Sequence, residues 1–178
     1  LRHLLGHLDR EGILDDCQLR EPEDLSDAQI LAAHTTGHLE FLRRSEPTDG
    51  IVPIDPDTWM GPRSLNAARL AASAVCSGVD DVLTGTEQRV FCAVRPPGHH
   101  AEANSAMGFC LLNSVAIAAL HALEQQDINR VAIVDFDVHH GNGSVDICKD
   151  HPQIMVCSSF QHPYSPNRLD DIEQPNIV

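Results

Sequence analysis

The sequence predicts an α/β fold, a mostly parallel sheet flanked by helices, and two observations carry that expectation. Short apolar runs at residues 89–94, 130–138 and 154–158 alternate with helix-forming stretches, and the connections are long enough for parallel crossovers. Gly and Pro punctuate these segments, with no repeat or low-complexity tract among them. A chain of 178 residues, 42% hydrophobic, can bury one sizeable core, so a single domain over residues 1–178 is expected.

Residues 1–14 read as a helix because Leu4, Leu5, Leu8 and Ile13 recur at near-helical spacing. Ser26 is placed to cap a second helix over residues 27–34, and residues 37–44 suggest a third. The apolar run 51–54 is brief, and Pro53, Pro56, Gly61 and Pro62 mark the loop around and after it. From 64 to 77 the Ala and Leu content predicts a long helix. Residues 89–94 then read as a strand, 113–124 as an Ala-rich helix, 130–138 as a strand, 144–149 as a short helix and 154–158 as a third central strand.

Composition narrows the function classes. A formal net charge of −14 argues against a direct nucleic-acid partner, because phosphate backbones are held by clustered Lys and Arg. No apolar run is long enough for a transmembrane helix, so no membrane partner is expected. The six cysteines (Cys17, Cys76, Cys92, Cys110, Cys148 and Cys157) show no C-x-x-C spacing and read as reduced, buried side chains. A cytoplasmic location is the provisional expectation, and oligomerisation is left open.

In open α/β sheets ligands bind beyond the carboxyl ends of strands, and two of those ends are rich in histidine. His99 and His100 follow the run 89–94, while Asp135, Asp137, His139, His140 and Asn142 cluster at the end of 130–138. Strand alternation would put Asp135, Asp137 and His139 on one face and Phe136 and Val138 on the other. A carboxylate and an imidazole two residues apart can converge on one divalent ion, and mixed nitrogen and oxygen donors suit zinc. A lone Asp or His there is more often a solvated loop residue, but alternate polar positions in an apolar strand have few such explanations.

Three motifs, Arg95-Pro-Pro-Gly-His-His100, Gly108-Phe-Cys110 with Asn113, and Asp135-Phe-Asp-Val-His-His-Gly-Asn-Gly143, resemble the histone deacetylase family in order and spacing. The resemblance is strongest over residues 64–166. It is nearest to the bacterial and class II-like branch, with acetylpolyamine amidohydrolases and acetoin-utilisation proteins. It implies an arginase/deacetylase-like α/β fold, incomplete here at its C-terminal side. It also implies a zinc-dependent amidohydrolase acting on acetyl-lysine, an acetylpolyamine or another acylated amine. Asp137 and His139 would ligate Zn2+, His99 and His100 would form the catalytic pair, and Asp135 would orient His99. Gly108 and Phe109 would line the acyl channel, and Ser158 with Asp135 would help hold a structural K+. Arginase-like manganese enzymes share the architecture, but the single Asp-x-His pair favours zinc.

The chain also departs from that pattern. Asn142 stands where some members carry an aspartate beside the second histidine, and Asn142→Asp is expected to shift the pH profile of an intact enzyme. A third zinc ligand and a late Gly-Gly-Tyr segment are not found. Asp170, Asp171 and Tyr164 come too early for those roles. The chain is therefore expected to be a fragment, truncated at both ends and inactive by itself. The alternative is a catalytically inactive module that binds acylated ligands or protein partners.

Overall fold

The computed structural model describes residues 1–161 and 175–178. Tyr164, Asp170 and Asp171, and the stretch up to residue 166 where the motif resemblance ends, fall in the remainder and so lie outside the described residues.

The first half is helical. Helix α1 (Arg2–Arg10) stops earlier than its Leu spacing suggests, because Gly12 turns left-handed and starts a short 3-10 turn at Ile13–Asp16. Helix α2 (Asp27–Ala33) begins at a reciprocal capping box. Ser26 Oγ accepts the Gln29 N–H at 3.3 Å, and Gln29 Oε1 accepts the Ser26 N–H at 3.0 Å. Helix α3 (Thr36–Ser45) is capped by Thr35, and Ile30, Leu39 and Leu42 from these two helices are fully buried. Strands β1 (Val52–Pro53) and β2 (Trp59–Met60) form a small antiparallel pair, so the protein is not uniformly parallel.

Helix α4 (Ser64–Leu83) continues past its expected end at residue 77 and through Gly78, which is buried where the Val90 and Cys92 side chains pack closely on the helix, before it stops at Thr84 and Gly85. It packs along α5 (Ser114–Leu123), whose small residues Ala116, Ala118 and Ala119 are buried and allow close approach. The expected strand at residues 89–94 is not one. The segment lies against α4, with the Cys92 thiol 3.4 Å from the Ala74 carbonyl, but no strand among the described residues pairs with it. An apolar run becomes a strand only where a neighbour completes the ladder of hydrogen bonds.

Strands β3 (Val131–Asp135) and β4 (Ile154–Ser158) are parallel and in register from Val131 opposite Ile154 to Asp135 opposite Ser158. Helix α6 (Asn142–Cys148) makes the crossover between them. Residues 176–178 run along the other edge of β4, with Ile177 bridged to Val156. The core lies between this sheet and the helices, centred on Ile117, Val145, Ile154 and Val156. Burial of a side chain of this size stabilises the fold by about 1.5–3 kcal/mol each. Among the cysteines, Cys76, Cys110 and Cys148 are buried, but Cys17 is exposed and Cys92 and Cys157 are half-buried, so the expectation of uniform burial fails; all six are free thiols.

Candidate active site

Strand β3 ends at Asp135, three residues short of the expected boundary, and the reason is local chemistry. Asp135 Oδ1 accepts the Asp137 N–H at 3.1 Å, and Asp137 Oδ1 accepts the His139 N–H at 2.8 Å. Each carboxylate captures a backbone donor two residues onward, which replaces the sheet ladder with consecutive side-chain turns. Asp137 and His139 therefore belong to a loop and not to one strand face, and Phe136 and Val138 are 86% and 52% exposed rather than packed behind them.

That loop still brings the polar groups together. His99 Nδ1 lies 2.8 Å from Asp135 Oδ2, with both side chains largely buried. His100 Nδ1 lies 2.7 Å from Asn142 Oδ1, also buried. The His99 and His100 rings are 4.0 Å apart between centroids, and the His139 ring meets His100 edge-on at 5.9 Å. Asp137 Oδ1 faces His139 Nδ1 at 3.0 Å, and both side chains are about half exposed. One oxygen and one nitrogen donor thus point at each other from an accessible loop, a donor set that suits zinc. Among the described residues no group of three or more His, Cys, Asp or Glu side chains is arranged to hold a metal ion.

The electrostatics follow from burial and these bonds. Burial opposes ionisation of Asp135, but the hydrogen bonds from His99 and the Asp137 N–H outweigh it and hold its pKa below the ordinary value. Asp137 is lowered in the same way, its desolvation overcome by the backbone and ring of His139. For His100 burial dominates and depresses the imidazole pKa despite the bond to Asn142.

Two glycines are required by close approach. A Cβ on Gly141 would overlap Asp135 Oδ2, so the loop passes directly against the carboxylate that holds His99. Gly108 has φ +56, and a Cβ there would run into the His100 ring. Phe109 follows at φ +67, in a tight turn closed between Met107 and Cys110. Its ring is 62% exposed and its N–H donates to the buried Thr58 Oγ1 at 3.0 Å. It is therefore not a core residue beside Leu111. Across the sheet, Ser158 Oγ is buried and has no hydrogen-bond partner among the described residues, opposite Asp135 in the register.

Several residues of this neighbourhood carry no sequence signal of their own. His34, at the end of α2, is buried. Its Nδ1 bonds the Glu102 carbonyl at 3.0 Å and its Nε2 accepts the Asn113 N–H at 2.9 Å. Desolvation lowers its pKa from 6.5 to about 4. The Asn113 amide in turn donates to the Ala101 carbonyl at 3.1 Å, fixing the chain just after the paired histidines. Glu102, two positions beyond His100, reaches the Asn142 amide only through packing.

The α/β fold thus sets one histidine on a carboxylate and the next on a carboxamide, beside an Asp–His pair. The histone deacetylase domain model matches residues 1–173. An uncharacterized protein of Synechocystis sp. is 47% identical over 140 residues, covering 79% of this chain and 45% of its own. The histone deacetylase-like amidohydrolase of Pseudomonas aeruginosa is 34% identical, covering 90% of this chain and 42% of its own. The human polyamine deacetylase HDAC10 is 33% identical over 90% of this chain and 25% of its own length. Among solved structures, the HD domain of HDA15 superposes with a TM-score of 0.88 at 32% identity, covering 94% of this chain and 49% of that one. The chain belongs to the histone deacetylase family, a family of deacetylase hydrolases. It spans less than half the length of these relatives.

Proposed function

We propose that this chain carries the histidine side of a zinc-dependent amidohydrolase site that cleaves the acyl amide of acetyl-lysine, an acetylpolyamine or a related acylated amine. The observation that carries the reading is the convergence of His99 on Asp135, His100 on Asn142 and Asp137 on His139 within one loop cluster. Asp137 and His139 are the residues that would hold zinc. Zinc there would polarise the amide carbonyl and make water a better nucleophile. His99 and His100 exchange protons with the attacking water and the departing amine, and Asp135 keeps the His99 ring in a fixed orientation. The exposed Phe109 ring, braced by Thr58, forms a wall for the acyl chain. The Ser158 hydroxyl, buried and unpartnered among the described residues and opposite Asp135 in the register, supports a structural K+ at that position.

The test is acetate release from an acetyl-lysine peptide and from an acetylated spermidine by the zinc-loaded full-length gene product. His99→Ala and His100→Ala each lower the rate by about 10²-fold or more. Wild-type turnover in both variants refutes the reading. The absence of a three-ligand group among the described residues favours a second reading, in which residues 1–178 alone bind acylated ligands without hydrolysing them. Saturable binding of the acetyl-lysine peptide with no acetate released supports it.

A further inference from the structure

Two residues beyond the paired histidines, Glu102 is drawn back onto the site. Its Oε1 accepts from Asn142 Nδ2 at 2.8 Å, and its Oε2 accepts from Ser105 Oγ at 3.0 Å. Asn142 is 7% exposed and His100 8% exposed, so the contact between their side chains is shielded from water. The other neighbours of Asn142 Nδ2 are the Met107 sulfur at 3.3 Å and the His100 carbonyl at 3.5 Å, again acceptors. Around this nitrogen the structure places a carboxylate, a thioether and a carbonyl.

A carboxylate only accepts, so the Asn142 amide must present its NH2 to Glu102 and its oxygen to His100. An amide oxygen also only accepts. His100 must therefore carry its hydrogen on Nδ1, which leaves Nε2 as the free nitrogen of the ring. The side-chain oxygen alone does not settle this, because a carboxamide can face an imidazole with either end. What settles it is the charge on the far side of Asn142.

We propose that Glu102 is a positioning residue that sets the tautomer of His100 by locking the orientation of the Asn142 amide. It does for this histidine, at one remove, what Asp135 does directly for His99. The relay also accounts for a carboxamide at position 142. A second carboxylate there would face the Glu102 carboxylate across a 2.8 Å gap with no amide hydrogen between them. The consequence for catalysis rests on the hydrolase reading given above, but the tautomer itself does not, since it is observable without metal, substrate or turnover.

The test uses the chain labelled with 15N at histidine and long-range 1H–15N correlation spectra recorded where His100 is neutral. Wild-type His100 shows the pattern of an Nδ1–H ring. Glu102→Gln lets the residue donate as well as accept, frees Asn142 to turn over, and shifts the tautomer ratio about tenfold or more toward Nε2–H. An unchanged Nδ1–H pattern in that variant overturns the proposal, whatever the outcome of the acetate assay.

Thermal melting gives a second, independent reading in case the glutamine variant folds poorly. Asn142→Asp lowers Tm by setting two carboxylates together, and adding Glu102→Gln restores a donor between them and recovers most of the loss. A double variant that melts no higher than Asn142→Asp alone overturns the proposal. A wild-type acetate rate with a shifted tautomer would instead remove the catalytic consequence and leave the role of Glu102 intact, whereas no acetate release by the wild type would count against the hydrolase reading alone.

Discussion

A single methyl group at Gly141 tests the link between packing and the geometry of the His99–Asp135 pair. Gly141 has φ −77, a backbone any residue adopts, so Gly141→Ala acts through space and not through strain. The added Cβ would overlap Asp135 Oδ2 and lie 3.5 Å from His99 Nδ1. Restoring ordinary contact requires the carboxylate to withdraw by about 1 Å. The His99–Asp135 bond of 2.8 Å does not survive a displacement of that size. Overpacking and the loss of a charge-assisted hydrogen bond together cost about 2–4 kcal/mol, a fall in Tm of roughly 5–12 °C for a chain of this length. In an active enzyme a misplacement of about 1 Å costs on the order of 10²-fold in rate.

The assay is thermal melting followed by circular dichroism, with the His99 ring resonances read in parallel. Gly6→Ala is the control, because the nearest atom to its Cβ is the mobile Arg10 guanidinium at 3.5 Å and the helix gains up to about 1 kcal/mol from alanine. If Gly141→Ala melts with the wild type and leaves the His99 resonances unmoved, the packing argument is wrong.

Other outcomes follow from the same structure. His34 is buried neutral with its pKa lowered to about 4 from 6.5, so the unfolded chain binds a proton that the folded one refuses between those values. Its stabilising contribution is complete above pH 6.5 and about 3 kcal/mol is lost as pH falls to 4. Urea denaturation at pH 7 and pH 4.5 reads this, and His34→Gln, which keeps a donor and an acceptor, flattens the difference. Zinc added to the metal-free chain is taken up through Asp137 and His139, and His139→Ala abolishes uptake measured by calorimetry; uptake unaffected by that change would place the metal elsewhere. With the K+ reading of Ser158, KCl raises Tm relative to equal NaCl in the wild type and not in Ser158→Ala; an identical response in both would remove that ion from the site.

Much of the architecture was legible because it depends on local rules. The Ser26 capping box, the alanine-rich face of α5 and the apolar strands β3 and β4 each follow from side chains a few residues apart. The segment 89–94 was misread for the opposite reason. Its composition suits a strand, but a strand is a property of a pair, and no neighbour among the described residues completes it. The short end of β3 was missed because period-two alternation cannot show that Asp135 and Asp137 will bond the amides ahead of them.

The site divides along the same line. Residue type and spacing alone single out His99, His100, Asp135, Asp137 and His139 as candidates, because polar side chains alternate there at the end of an apolar run. Only the tertiary structure decided how they are held. His34 at the end of α2 and Glu102 beyond the histidines are ordinary polar residues in the sequence, 68 positions apart, and Asn113, noted there only within a motif, has no partner visible in the sequence. They become the supports of the site because burial removes water as an alternative partner, so that each donor and acceptor must find its complement in the protein.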